Sequence, residues 1–438
     1  MSQELVTIGQ SSWRSRLSGR LARLRQHPLA SVGPGLITGV ADDDPSGIAT
    51  YSQAGAQFGL NMLWTMPVSF PMMAVVQATC ARIGRVTGQG LAANIKTAFP
   101  PVVLYAVVFS LLIANILNIA ADVAAMGEVA ELVTGFNRHL MTMFFVFGTL
   151  ALQVFIPYHR YVAFLKWLTI SLLAYAAVLF TVHIDWQQVA LRTIWPTITP
   201  TSTYAAVVVG VFGTTISPYL FFWQASEEVE DMNAAADSMP LSRDSAGAPK
   251  ELRRIGWDTW SGMLYSNLTA FFIILATAVT LNVAGITQID TAAQAASALR
   301  PLAGPFAALI FALGILGVGL IGVPVLAGSA GYALAEAMGW KFGLERSPND
   351  ARGFYSVIAI SVLLALIIQY SPITPMNALF WSAVINGLLA VPLIAVILLL
   401  ASNRKIMGPY TIGKGAACIG WATVASMAVA AGMMFVPQ

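Results

Sequence analysis

Long apolar segments recur along the whole chain, and they limit its fold more than any other feature of the sequence. A helix needs about 20 apolar residues to cross a bilayer, and segments near that length or longer fall at 30–59, 61–83, 102–133, 139–157, 162–183, 203–231, 258–283, 304–338, 353–371, 375–401 and 415–436. Hydrophobic residues make up 57% of the chain and charged residues only 10%, which excludes an ordinary soluble protein. The pattern predicts an all-α polytopic membrane protein with eleven transmembrane helices.

The positive charges alternate with these segments and so test their number. If the N-terminus is cytoplasmic, all of the 23 lysines and arginines except Arg138, Arg192 and Arg300 lie in the N-terminal tail or on the inner side. Cytoplasmic loops are enriched in Lys and Arg, so this distribution of positive charges supports both the number of spans and their orientation. We therefore expect a basic cytoplasmic tail over 1–28 and a C-terminus outside.

An acidic break interrupts the first apolar segment. Asp42, Asp43 and Asp44 follow one another and are succeeded by Pro45 and Gly47. Proline lacks an amide donor and clashes with the preceding turn, so two half-helices are predicted to meet here. Carboxylates at this depth are costly and are functional candidates by default, and free backbone carbonyls beside them suit a cation. The alternative is a solvated turn, because aspartate before proline is common turn chemistry.

A second break lies at the matching position of the sixth segment. Ser217-Pro218 corresponds to Asp44-Pro45, and four uninterrupted segments lie between the two steps. Paired interrupted helices predict two five-helix halves of opposite orientation around a central site. We assign a transporter core to 29–401, with repeat 1 at about 29–185 and repeat 2 at about 203–401, and the eleventh helix and C-terminus to 402–438. Two unrelated proline kinks are the alternative.

The third segment carries polar side chains in its middle. Asn118 and Asp122 are one turn apart and share a face, and Asn115 precedes them. For the two asparagines the favoured interpretation is a polar face packed inside the bundle. For Asp122 a functional role is favoured over packing.

The chain becomes acidic after the second break. Gln224, Glu227 and Glu228 lie on the cytoplasmic end of the sixth helix, where they form either an inner mouth that concentrates cations or a solvated helix end. The polar stretch 229–257 predicts a cytoplasmic loop that joins the halves. Residues 88–98 predict a short helix at the membrane surface.

Three motifs resemble those of the NRAMP divalent-metal transporters. Residues 44–50 (D-P-S-G-I-A-T) and 53–56 (Q-A-G-A) are similar to the family's first-helix signature D-P-G-N-I-A-T followed by Q-A-G-A. Residues 77–88 resemble its Q-x-x-x-A-R-x-G-x-V-T-G, and 400–408 (L-A-S-N-R-K-I-M-G) resemble its F-T-S-D-R-R-L-M-G. The resemblance spans the chain in order. It implies a LeuT/APC-like 5+5 inverted repeat with broken helices 1 and 6, and transport rather than an enzymatic activity.

The resemblance also implies a set of metal ligands. In the family, an aspartate and an asparagine of helix 1 and a methionine of helix 6 ligate the metal together with backbone carbonyls from both breaks. Carried over by position, the aspartate is Asp44, the asparagine is replaced by Gly47 and the methionine by Ser217. The carbonyl positions fall at Ala41 and Thr214.

Positions that the family links to proton movement differ as well. Its two helix-6 histidines lie over Tyr219 and Gln224, and the glutamate of its third-helix D-L-A-E is absent after Asp122. Histidine is the side chain that titrates near neutrality, so these losses predict transport without proton coupling. Asp42, Asp43 and Asp122 remain candidates for carrying protons.

These departures predict a magnesium transporter that tolerates Mn²⁺. A thioether favours transition metals, and its loss leaves oxygen ligands only. Smaller residues at Gly47 and Ser217 should widen the cavity for a partly hydrated Mg²⁺, which dehydrates reluctantly. This resembles the NRAMP-related magnesium transporter branch. We expect alternating-access uniport in a bacterial inner membrane, with a divalent cation and the lipid bilayer as partners, and without a cofactor, nucleic acid or obligate protein partner.

Three other functions compete with this prediction. A proton-coupled Mn²⁺/Fe²⁺ transporter of the NRAMP type is the first. An amino-acid carrier of the same architecture is the second, although Asp44 would repel a substrate carboxylate. The third is an intramembrane aspartyl protease, in which Asp44 and Asp122 would form a dyad.

Overall fold

A computed structural model describes residues 34–156, 171–234, 238–245, 247–344, 346–370 and 372–436. Every regular element in these ranges is a helix. The basic tail predicted for 1–28 and the first part of the fifth predicted span, 162–170, lie outside the described residues.

The helices of the first half are bounded as follows: α1 (Pro34–Asp42), α2 (Pro45–Phe58), α3 (Thr65–Thr87), α4 (Leu91–Ala98), α5 (Pro101–Thr134), α6 (Arg138–Phe155), α7 (Leu173–Val178) and α8 (Trp186–Ile194). Those of the remaining chain are α9 (Ser202–Thr215), α10 (Pro218–Ala234), α11 (Ala248–Thr277), α12 (Ala292–Ala296), α13 (Arg300–Ala303), α14 (Ala307–Met338), α15 (Arg352–Ile368), α16 (Pro375–Ser402), α17 (Arg404–Met407) and α18 (Lys414–Met434). A π-helical turn, Ala278–Asn282, continues α11.

Apart from the fifth span, of which 162–170 is not described, and the seventh, whose helix begins ten residues earlier at Ala248, the predicted spans coincide with these helices to within a few residues. By length and hydropathy alone, seven of the described helical stretches can cross a membrane, or eight when 45–62 and 65–87, bent by 114°, are joined. The first span falls below that limit because the break at Asp43–Asp44 divides it into two short helices, α1 and α2. The shorter α15 is equally apolar and matches the ninth predicted span.

Both proline steps break a helix as predicted. Pro45 is the first residue of α2 and Pro218 is the first residue of α10. Proline is well suited to this position, because the first amide of a helix has no partner inside the helix. Each proline therefore ends one half-helix and begins the next without an unpaired amide.

The buried fraction of each helix shows which helices are central and which are peripheral. Within the apolar window of α9 and α10, 94% of residues are buried, against 22% for α6 and for α18. The second broken helix is thus enclosed on all sides, and α18 packs on the outside of α16, α9 and α3. This peripheral position is what an eleventh helix added to a five-plus-five core requires.

The predicted loop over 229–257 is wrong in its extent. The helix α10 continues to Ala234 and α11 already begins at Ala248, so helix replaces both ends of the predicted loop. The polar residues are accommodated because they pair between the helix extensions: Arg254 donates to Glu228 Oε2 at 2.7 Å and to Glu251 Oε2 at 3.1 Å. The predicted surface helix at 88–98 is α4.

Candidate functional site

Asp44 lies at the centre of the first break and caps the helix that follows. The Gly47 amide donates to Asp44 Oδ1 at 2.8 Å, and the Ser46 hydroxyl donates to the same oxygen at 2.6 Å. Aspartate is among the best N-cap residues because its carboxylate accepts from amides that have no partner in the first turn. One carboxyl oxygen is thereby fixed towards α2.

The other oxygen of Asp44 faces two neighbouring helices. Asn118 Nδ2 on α5 donates to Asp44 Oδ2 at 2.9 Å, and the Tyr219 hydroxyl on α10 lies 3.3 Å from the same oxygen. That hydroxyl is also 3.2 Å from the Ala41 carbonyl oxygen, so Tyr219 bridges two of the ligand positions predicted in the first break. Asp44 is 1% exposed, and all four of its donors are neutral groups.

The second break meets the first at the level of Gly47. The Ser217 hydroxyl donates to the carbonyl oxygens of Thr214, at 2.7 Å, and Gly213, at 2.9 Å. Ser217 therefore closes the end of α9, with its hydrogen directed away from Asp44. Thr214 and Ser217 are each 1% exposed, and the site is enclosed in this structure.

The wider cavity expected beside Gly47 is not present in this conformation. A β-carbon at Gly47 would lie 3.1 Å from Thr214 Oγ1 and 3.3 Å from Tyr51 Cε2. Such contacts are tighter than ordinary van der Waals contacts, so α2 and α9 approach each other because residue 47 has no side chain. Thr214 and Tyr51 fill the space beside Gly47, so no water shell fits there.

Asp42 and Asp43 point away from Asp44. The Ser266 hydroxyl on α11 lies 2.5 Å from Asp42 Oδ2 and 3.0 Å from Asp43 Oδ1. The shared Ser266 donor places both carboxylates beside α11. Among the described residues, only Asp44 of the triplet forms hydrogen bonds with side chains of α5 and α10.

Asp122 is completely buried on α5 but forms no dyad with Asp44. No hydrogen bond joins the two carboxyl groups within the described ranges, and Asn118 is the α5 residue that contacts Asp44. The Ser46 amide faces Asp122, although neither Asp122 oxygen meets normal hydrogen-bond geometry with a described residue. The arrangement required of an aspartyl protease is therefore missing.

Glu227 and Glu228 on α10 lie neither in an open mouth nor on a solvated surface in this conformation. Glu228 is fully buried and forms an ion pair with Arg254, and Glu227 is 4% exposed with the Tyr332 hydroxyl 3.4 Å away. Gln224 is also fully buried, and its amide has no hydrogen-bond partner among the described residues. Both sequence interpretations of this segment missed the arginine on α11, which is distant in the chain.

Two residues of the site escaped the sequence-based selection. Asn118 contacts Asp44 directly, and the Ser382 hydroxyl on α16 donates to Asn118 Oδ1 at 2.7 Å. A chain of hydrogen bonds thus connects the first break through α5 to α16. The position of Asn118 one turn before Asp122 was the available signal, whereas Ser382 carries no distinguishing pattern.

The two ends of the bundle differ in their packing. A cavity of about 410 Å³ lies at the end of α2 that is remote from the break, between α2, α9 and α16, and its lining includes Ala49, Gln53 and Asn377. At about 1.5 Å per residue, Ala49 is roughly 7 Å further along the helix than Asp44. The cavity therefore approaches the site from this side.

At the opposite end, α1 lies directly against α11. The Gly35 amide donates to Asp258 Oδ2 at 2.7 Å, and a β-carbon at Gly39 would come within 2.6 Å of Gly262 Cα. Two glycines allow the backbones of α1 and α11 to touch. Among the described residues, the cavity therefore lies on the α2 side of the break, and a close helix contact lies on the α1 side.

Residues 35–437 match the sequence profile of the natural resistance-associated macrophage protein-like (NRAMP) family. The chain belongs to this family. The match covers both breaks and α18, and the family is one of transporters rather than of enzymes. The prediction of family and fold class from the three motifs is confirmed.

Curated relatives are similar over nearly the whole chain. "Divalent metal cation transporter MntH" of Acidiphilium cryptum is 27% identical over 431 residues, covering 91% of this chain and 87% of the relative. The protein of the same name from Klebsiella pneumoniae is 26% identical over 411 residues, covering 92% of each.

Solved structures support the same fold. The Eremococcus coleocola manganese transporter superposes with a TM-score of 0.74 at 16% identity, over 93% of this chain and 86% of that one. The nucleobase-cation-symport-1 family transporter Mhp1 superposes with a TM-score of 0.56 at 13% identity, over 92% of each chain. The NRAMP architecture with its LeuT-like arrangement of broken helices is therefore the fold of this chain.

Proposed function

We propose that this protein carries divalent metal cations across the membrane by alternating access, with Mg²⁺ preferred and Mn²⁺ tolerated. The observation that carries the proposal is a single buried carboxylate, Asp44, at the junction of two broken helices, surrounded by oxygen and nitrogen groups. Membership of the NRAMP family supports metal transport in general. The metal is the substrate, and the proposal requires no cofactor.

The donor set supports a hard cation. Asp44 and the backbone carbonyls of Ala41 and Thr214 present oxygen, which is the ligand atom that Mg²⁺ prefers. Ser217 stands where the family has a thioether, so no sulfur is supplied by this position of α10. Soft ligands favour transition metals, and their replacement by oxygen reduces the discrimination against Mg²⁺.

The preference rests on donor chemistry rather than on the size of the cavity. Gly47 leaves no room in the closed conformation, because Thr214 Oγ1 and Tyr51 surround it. A cation that keeps some of its water must therefore enter while α2 and α9 are further apart. The cavity that ends at Ala49 is the route we assign to that entry.

Transport then requires the two ends to open in turn. We infer that the repeats 29–185 and 203–401 move relative to each other about the two breaks, while 402–438 remains peripheral. With the N-terminus in the cytoplasm of a bacterial cell, the 410 Å³ cavity faces outside and the contact of α1 with α11 seals the inner face. Gln224, Glu227 and Glu228 would line the inner path once α1 moves away.

We further propose that the transport is uniport. Tyr219 and Gln224 stand at the positions of the two histidines that the family links to protons, and neither side chain titrates near neutrality. Asp42 and Asp43 face α11, away from the proposed ion path. The membrane potential alone can then drive a divalent cation inwards.

Competitive uptake into proteoliposomes tests the ion preference. Mn²⁺ entry should fall in the presence of excess Mg²⁺, and direct Mg²⁺ entry should be visible with an internal magnesium dye. Ca²⁺ serves as the comparison for a larger ion. Mn²⁺ entry that excess Mg²⁺ leaves unchanged would refute the magnesium preference.

A proton-coupled Mn²⁺ transporter is the second candidate, and two observations favour it. The structural relative with the TM-score of 0.74 is described as a manganese transporter, and Asp122 is a buried carboxylate beside the first break. Acidification of the liposome interior in step with metal entry would support this candidate over uniport.

A further inference from the structure

We propose that Asn118 is a ligand of the transported cation and that its amide turns over when the cation binds. This inference rests on the proposed function, because it assumes that a divalent cation approaches Asp44. It assigns to α5 a ligand that neither broken helix supplies. The hydrogen bonds around Asn118 carry the argument.

The orientation of the Asn118 amide follows from its two partners. Nδ2 lies 2.9 Å from Asp44 Oδ2, and Oδ1 lies 2.7 Å from the Ser382 hydroxyl. A carboxylate accepts only, so the amide nitrogen must face Asp44 and the amide oxygen must face Ser382. Without a cation, this orientation stabilises the buried charge of Asp44.

A cation at Asp44 Oδ2 conflicts with this arrangement. The amide hydrogens of Asn118 carry partial positive charge and point at the oxygen that the cation would share. Turning the amide by 180° replaces those hydrogens with Oδ1, which is a hard oxygen ligand of the kind that Mg²⁺ accepts. The two ends of an amide are nearly equal in size, so the turn requires no extra volume at this fully buried position.

Ser382 can satisfy the amide in both orientations. Its hydroxyl lies 2.8 Å from the Leu379 carbonyl oxygen as well as 2.7 Å from Asn118 Oδ1. When Nδ2 faces Ser382, the hydroxyl accepts from it and directs its own hydrogen to Leu379. The Asn118 amide and the Ser382 hydroxyl therefore each keep a partner before and after the turn, which lowers the free-energy cost of turning the amide.

Neither break supplies a side-chain amide ligand. Gly47 has no side chain, and the Ser217 hydroxyl donates to the carbonyl oxygens of Gly213 and Thr214. An amide oxygen from α5 would thus supply the side-chain amide ligand that residue 47 lacks. It would approach Asp44 at Oδ2, the oxygen that accepts from neither Ser46 nor Gly47.

Asn115 provides a matched control on the same helix. It is also fully buried, one turn before Asn118, but its Nδ2 donates to Leu326 O at 2.9 Å and Ser329 Oγ at 2.7 Å on α14. These contacts hold α5 against α14 and involve no group of the break. Replacing Asn115 removes a buried amide without touching Asp44.

The experiment compares Asn118→Ala, Asn118→Asp and Asn115→Ala with the unchanged protein, using Mg²⁺ alone. Calorimetric binding to the purified proteins and Mg²⁺ uptake into proteoliposomes are measured, and thermal unfolding confirms that each variant is folded. We expect Asn118→Ala to weaken Mg²⁺ binding and to raise KM by roughly tenfold or more. Asn115→Ala should change both by less than about twofold, apart from any loss of thermal stability.

Asn118→Asp separates a ligand from a simple hydrogen-bond donor. An aspartate keeps an oxygen for the cation, so we expect it to restore Mg²⁺ affinity to within a fewfold of the unchanged protein. If position 118 were out of reach of the cation and Asn118 only donated to Asp44, two facing carboxylates without a shared cation would make Asn118→Asp the weakest variant. Affinity that is lower in Asn118→Asp than in Asn118→Ala would overturn the inference.

The failure of the inference and that of the proposed function have different signatures. Unchanged protein that neither binds nor carries Mg²⁺ would refute the proposed preference for Mg²⁺. Unchanged protein that carries Mg²⁺, together with equal KM values for Asn118→Ala and Asn115→Ala, would refute only the role of Asn118. If Asn118→Ala does not fold, the comparison of Asn118→Asp with Asn115→Ala decides: an affinity within a fewfold supports the ligand, and a loss of tenfold or more refutes it.

Discussion

Asp44 provides a negative charge and also caps the N-terminus of α2, and two substitutions separate these roles. Its carboxylate accepts from the Gly47 amide at the start of α2 and also faces Asn118 and Tyr219. Asn at position 44 retains a cap oxygen but loses the charge, whereas Ala loses both. Loss of an N-cap costs about 1 kcal/mol, so Asp44→Ala should be less stable than Asp44→Asn by about that amount.

We predict that both Asp44→Asn and Asp44→Ala abolish metal uptake. The reason is that a neutral amide cannot replace the carboxylate as the charged ligand of a divalent cation. Uptake into proteoliposomes measures the loss of transport, and chemical unfolding in detergent measures the difference in stability between Asp44→Ala and Asp44→Asn. Transport by Asp44→Asn at more than a small fraction of the original rate would remove Asp44 from the site.

The missing family ligands can be restored at Gly47 and Ser217, and the structure shows what this requires. A β-carbon at position 47 would lie 3.1 Å from the Thr214 side-chain oxygen Oγ1. The proposed metal ligand of Thr214 is its backbone carbonyl, so the side chain can be shortened without removing that ligand. Thr214→Ala removes the hydroxyl and keeps the carbonyl. We predict that Gly47→Asn with Ser217→Met and Thr214→Ala shifts the Mg²⁺/Mn²⁺ preference towards Mn²⁺ by about tenfold, because sulfur favours the softer ion.

Competition between the two ions in uptake assays measures this ratio. Thr214→Ala alone is the control, and it should leave the preference near its original value. A triple variant that still transports with an unchanged ratio would show that other residues set the selectivity.

Predictability from the sequence differs among the residues of the site. Asp44 was predicted because it precedes a proline inside an apolar segment and matches a family motif. The directions of Asp42 and Asp43 could not be predicted, since they depend on where α1 unwinds relative to Ser266 on α11. Asn118 carries a visible signal, but hydropathy cannot distinguish an asparagine that packs from one that contacts the site.

At the scale of helices, α1 and α11 are in direct backbone contact on the side of the break opposite to the cavity. Gly39 packs against Gly262 so tightly that any side chain would overlap the α11 backbone. We predict that Gly39→Leu displaces α1, opens the inner face and reduces transport severalfold, because the protein can no longer seal that face.

Accessibility of a cysteine at position 224 measures this displacement. Gln224 is fully buried near the inner path, so Gln224→Cys in a Cys418→Ser background should react with an impermeant maleimide only when α1 moves. Gly256→Leu on α11 is the matched control, because no atom lies within 4 Å of a β-carbon there. Equal labelling in the Gly39→Leu and Gly256→Leu backgrounds would contradict the prediction.

The elements themselves were largely predictable, and the exceptions have a physical cause. Pro45 and Pro218 mark both breaks, but proline alone does not determine where a span breaks. The uninterrupted helices α3, α14 and α16 have prolines in their interior, namely Pro71, Pro324 and Pro392. The interval 229–257 was predicted as a loop because its residues are polar. It is mostly helix, since Arg254 on α11 neutralises the buried Glu228 of α10, and such a pairing between distant residues leaves no trace in hydropathy.

At the scale of the whole molecule, the cavity and the contact of α1 with α11 lie on opposite sides of the first break. The cavity between α2, α9 and α16 reaches towards Asp44, and α1 packs against α11 on the other side. Ser382 on α16 is connected with Asp44 through Asn118, so a helix that lines the cavity also contacts the first break through hydrogen bonds. A cation that turns the Asn118 amide would change the hydrogen bond between Asn118 and Ser382, and we expect this change to couple binding to movement of α16.

Tyr219 and Gln224 stand where the family has histidines, and this replacement leads to a prediction about the energy source. An inward-negative potential of about 100 mV supplies roughly 4.6 kcal/mol for a divalent cation, enough for about a thousandfold accumulation without a second ion. We therefore predict that Mg²⁺ uptake increases with a valinomycin-set potential and proceeds without acidification, whereas a pH gradient of either sign leaves the accumulated amount unchanged. An internal pH dye and a magnesium dye in the same liposomes measure both quantities.

Asp122 decides between uniport and the proton-coupled alternative. Asp122→Asn removes the buried carboxylate beside the break and keeps its shape, so under uniport it should leave the potential dependence intact and the liposome interior at constant pH. Liposomes with Asp44→Asn control for leakage of protons and metal through the bilayer. Acidification that accompanies metal entry in the unchanged protein and disappears in Asp122→Asn would replace uniport with proton coupling through α5.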